Sequence, residues 1–181
     1  MRHKNVYALA SAVFASLVAA GIVVASTPGP DSIDVSSWKA TSNNKAAARL
    51  SVTTKAPIPR HADVFIRSNP VVGLAWVDTQ TSKAFVATIH PVLGRDSRQN
   101  PRAWHAHTVT LATGATAPND FCLASIDSSP TVGLSIHGAT MRVNTRSSKL
   151  PVPASAFDLA VGFTVQQDAA CASGLGVRVS T

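Results

Sequence analysis

Glutamate is missing from this chain: all nine acidic residues are aspartate, and charged residues of both signs make up only 14% of its 181 positions. Val and Thr, by contrast, are abundant. Glu favours helices whereas Val and Thr favour strands, so the bias points to an all-β protein before any periodicity is read. The same absence narrows the chemistry. A glycosidase pair of carboxylates would have to be two Asp, and neither a His-Glu-x-x-His helix nor a phosphate-cradling glycine loop is present. The nearest approach to a nucleophile elbow, Gly133-Leu134-Ser135-Ile136-His137-Gly138, has one residue too many and follows a strand alternation instead of a strand-to-helix turn. These gaps weigh against a hydrolase and lean the reading away from an enzyme. No Asn-x-Ser/Thr glycosylation acceptor occurs either.

Cysteine is nearly as scarce, with Cys122 and Cys171 alone and in no Cys-x-x-Cys motif. In an oxidising compartment the two are expected to pair, closing a loop worth about 4 kcal/mol in the chain-entropy model. That pairing also disfavours a blue-copper centre, which needs a free thiolate.

The compartment follows from the N-terminus. Arg2 and Lys4 precede an uncharged Ala- and Val-rich run from Val6 to Ala25. Twenty residues at about 1.5 Å each match a bilayer core of about 30 Å, so residues 1–25 read as a signal peptide or as an N-terminal apolar helix anchoring the chain. Val23-Val24-Ala25 before Ser26 supplies a cleavage site. Either way the remainder is expected outside the cytoplasm, at the cell surface or beyond it.

Residues 26–60, with Pro28, Pro30, Pro57 and Pro59 among Ser, Thr and Ala, read as a flexible tether, with a short helix conceivable from Asn43. Residues 61–181 then carry about eight to nine short alternating segments between turn signals. Candidate strands are 63–67, 71–78, 83–90, 104–111, 121–126, 131–137, 141–145, 157–166 and 174–180. The pattern predicts an antiparallel β-sandwich or jelly roll.

Chemistry concentrates between His90 and His107. His105 and His107 are two apart, so a strand projects both from one face at about 6.5 to 7 Å. If the two flanking strands pair as a hairpin, His90 joins them, which is a donor set for zinc or copper. Asp96 is a further ligand or a partner fixing a histidine tautomer, and His137, at another strand end, is a remoter candidate. The competing reading makes the histidines a hydrogen-bonded rim of the core, since Val109 and Leu111 continue the same face. Arg95, Arg98 and Arg102 in the intervening loop could hold an anionic group. The net charge of +7 reads either as solubility alone or as a surface for an anionic glycan or lipid headgroup, alongside the membrane if residues 1–25 are retained; nucleic acid is not expected outside the cell. Trp76 and Trp104 read as core residues.

The block from His90 through Trp104-His105-Ala106-His107-Thr108-Val109-Thr110-Leu111, with the ending Cys171-Ala172-Ser173-Gly174-Leu175-Gly176, resembles uncharacterised secreted all-β proteins of archaeal type. The resemblance covers about residues 65–181 and implies an exported location without implying an activity. The leading expectation is therefore an extracytoplasmic surface binding or structural module, with a zinc- or copper-binding protein as the alternative.

Overall fold

A computed structural model describes residues 31–43, 46–61, 71–90 and 103–180. Among the described residues there are ten strands: β1 (Val35–Asn43), β2 (Ala47–Thr54), β3 (Val71–Asp78), β4 (Lys83–Ile89), β5 (His105–Ala112), β6 (Phe121–Ser128), β7 (Gly133–His137), β8 (Thr140–Arg146), β9 (Leu159–Gln167) and β10 (Leu175–Ser180). Two short 3-10 turns, at 147–149 and 154–156, interrupt the passage from β8 to β9.

The all-β antiparallel class expected from the sequence holds. Its arrangement differs from a sandwich or jelly roll: six strands close into a barrel in the order β10-β6-β5-β4-β3-β9, and the other four form a separate sheet, β1-β2-β8-β7. The proposed tether is corrected more sharply. Residues 35–54 form a hairpin in which β2 pairs with β8, so the folded unit begins before residue 61. The reason is visible in β2, where Ala48, Leu50 and Val52 alternate with Arg49, Ser51 and Thr53 and bury one face. The expected apolar segment at 1–25 and the strand at 63–67 lie outside the described residues. Among the described residues no helix is long and apolar enough to cross a membrane.

Strand alternation divides the apolar residues into two interiors. Leu74, Trp76, Phe85 and Ile89 point outward from the barrel and pack under the four-stranded sheet against Leu50, Val52, Met141 and Val143. Residues one position along, Ala75, Val77, Ala84, Val86, Val161 and Val165 among them, point into the barrel lumen. Ile33, fully buried, crosses the outer face of β9 so closely that a Cβ on Gly162 would lie 1.9 Å from the Ile33 carbonyl oxygen; only glycine fits there. Lys55 holds the adjoining Asp34 carboxylate in an ion pair.

Where the barrel closes, the β10–β6 ladder has just two register pairs, Gly176 with Cys122 and Val177 with Phe121. The corner is reinforced by other means. Cys122 and Cys171 form the expected disulfide, which ties β6 to the β9–β10 turn across 49 residues of chain. Asp168, in the same turn, accepts hydrogen bonds from the Thr116 and Ala170 amides and from the Asn119 side chain. These donors, the Thr116 amide foremost, hold the Asp168 carboxyl below its ordinary range.

Candidate metal centre at one end of the barrel

β4 and β5 pair antiparallel with Thr88 opposite His105 and Val86 opposite His107. This is the hairpin that the sequence reading required, and it places 86, 88 and 90 on the same face as 105, 107 and 109. His90, His105 and His107 are all buried at that end, with 4%, 8% and 3% exposure. One ligand nitrogen from each lies within 4.8 Å of the others. The ring centroids stand 4.5 Å (His90–His105), 4.9 Å (His105–His107) and 5.9 Å (His90–His107) apart.

Hydrogen bonding orients two of the rings. His105 Nδ1 lies 3.0 Å from the Ala103 carbonyl oxygen, which only accepts, so Nδ1 carries the proton and a neutral His105 presents a lone pair at Nε2. That Nε2 is 2.8 Å from His90 Nε2, which must then donate to it, and 3.5 Å from the Thr88 hydroxyl. His107 Nδ1 is 2.8 Å from Ser129 Oγ. Backbone carbonyl or hydroxyl partners on the far ring nitrogen are how metal-binding imidazoles are commonly aimed. An ion held between His90 and His105 would take the place of the proton they share.

Ser129 and Ala103 were not legible as part of the site. Ser129 reaches His107 because β6 is bulged: Val109 pairs with Ile126, but Thr108 pairs with Ser128. The extra residue, Asp127, shifts the strand end past the histidine face. A bulge between two strands leaves no local sequence mark.

Of the other candidates, His137 is exposed at the end of β7 on the four-stranded sheet and does not join the cluster. Asp96 and the three arginines, Arg95, Arg98 and Arg102, lie outside the described residues. Trp76 is fully buried, and Trp104 donates its indole N–H to the Pro59 carbonyl at 2.7 Å, so both belong to the core as expected.

The histidine cluster opens on a cavity of about 200 Å3 that occupies the lumen, and His90, His107 and Thr88 form one polar end of it. No protein-family model, curated protein or solved structure matches the chain.

Proposed function

We propose that this chain is an extracytoplasmic metal-binding protein in which His90, His105 and His107 hold one zinc or copper ion. The carrying observation is the convergence of three buried ligand nitrogens within 4.8 Å. Imidazole suits zinc and copper alike, and three neutral protein ligands leave a coordination position for water or a small ligand. The Cys122–Cys171 disulfide supports the location, since such bridges persist in oxidising compartments.

A second reading, in which the histidines only seal the end of the barrel within a structural or surface-binding module, draws on the 2.8 Å His90–His105 hydrogen bond. Metal analysis separates the two. Untagged protein produced by export and dialysed should retain about one ion per chain, and the His105→Ala/His107→Ala double variant should retain none. A folded, disulfide-bonded parent with no affinity for either ion would refute the metal reading.

A further inference from the structure

The lumen is apolar, with its polar groups gathered at the two ends. Barrels of eight strands are just wide enough for side chains to fill, so a cavity inside six strands needs small inward residues. It has them: nine of the eleven buried lumen residues are Val or Ala. The cavity runs from Val71, Thr88, His90 and His107 at one end to Thr79 and Ser82 at the β3–β4 turn. At about 200 Å3 it exceeds the roughly 150 Å3 of apolar cavities that take up a benzene ring. It also has a mouth. Ile126 lines the cavity yet is 55% exposed, and it stands on β6 beyond the two pairs that join β6 to β10. Its partner across the ladder is Val109, one inward step from His107 on β5 and opposite Ala84 on β4, so the mouth opens between the histidines and the β3–β4 turn.

We propose that the lumen binds an unbranched alkyl monocarboxylate, tail along the valines and carboxylate at His90 and His107. The apolar walls give the tail its site. Among the described residues the imidazoles are the basic groups lining the cavity, and they can receive the carboxylate directly through ring N–H or through an ion they hold. The ligand thus shares two residues with the proposed metal centre but does not require the ion.

The test is calorimetric titration of hexanoate, octanoate and decanoate into the full protein, once metal-free and once zinc-loaded. Binding should be saturable at one per chain, tightening about fourfold per added methylene until the lumen is full. Ala84→Leu, which fills the lumen, should weaken octanoate at least tenfold while leaving zinc stoichiometry unchanged; Ile126→Asp, at the mouth, should weaken it independently if the first variant does not fold. Absence of binding in both metal states, binding indifferent to chain length, or binding untouched by both variants overturns the proposal. Octanoate binding by a protein that takes neither zinc nor copper would leave it standing and remove only the metal reading.

Discussion

The two apolar interiors of this molecule are built from different residues although both are lined by β3, β4 and β9. Between barrel and sheet sit Trp76, Phe85, Leu74, Ile89, Leu50 and Met141, the largest fully buried side chains among them. Among the buried residues inside the barrel, Val and Ala dominate, with Phe121 and Phe163 the exceptions, and Leu111, Leu123, Leu159 and Leu175 pack partly buried around them. Alternation along a strand decides which side a residue serves, so Trp76 and Phe85 support the sheet while their neighbours Ala75 and Ala84 leave the lumen open. A void of about 200 Å3 costs roughly 5 kcal/mol relative to a filled core. The outer layer is thus filled by large side chains, and the inner one leaves a cavity.

Substitutions should distinguish the two interiors by sign. Trp76→Ala, in the filled layer, is expected to cost about 3–5 kcal/mol in chemical denaturation. Opening the barrel's short seam by Cys122→Ala/Cys171→Ala should cost up to about 4 kcal/mol, and free-thiol titration of the folded parent should find none. Enlarging a lumen residue works the other way: Ala75→Val or Ala84→Val should raise stability by about 0.5–2 kcal/mol. A loss comparable to that of Trp76→Ala would show that the lumen is already filled, and the contrast would collapse.

The smallest expected effect is at the seam's acid side. Folding lowers the Asp168 pKa, so the carboxylate's contribution is fully present above its ordinary value of 3.8 and is lost below it, as pH falls through the lower value of the folded state. Asp168→Asn should therefore flatten the decline of stability below about pH 4, as followed by urea midpoints. An unchanged acid limb would mean that the Thr116 and Asn119 contacts persist without the charge.

Much of the barrel was legible because its strands carry strong local alternation. Val71–Asp78 matches β3 residue for residue, and β4 to β10 agree within one to two residues at most ends. Closure was not legible, since Leu74 and Trp76 on one face and Ala75 and Val77 on the other suit a sandwich equally well; the cue lay in the size difference between the faces. The β1–β2 hairpin was hidden by flanking prolines and by the exposed character of β1, whose Ser, Lys and Thr residues lie at a sheet edge. For the site, His-x-His spacing and a hairpin placed all three imidazoles correctly. Their hydrogen-bond partners depend on a bulge and on chain outside the strand, and those are tertiary facts.

The most direct test of the account is X-ray absorption spectroscopy on untagged protein loaded with one equivalent of zinc. Three imidazole nitrogens at about 2.0–2.1 Å, reduced in number by His107→Ala, are the predicted shell. A shell of oxygen alone, or a folded protein from which zinc and copper both dialyse away, would contradict it.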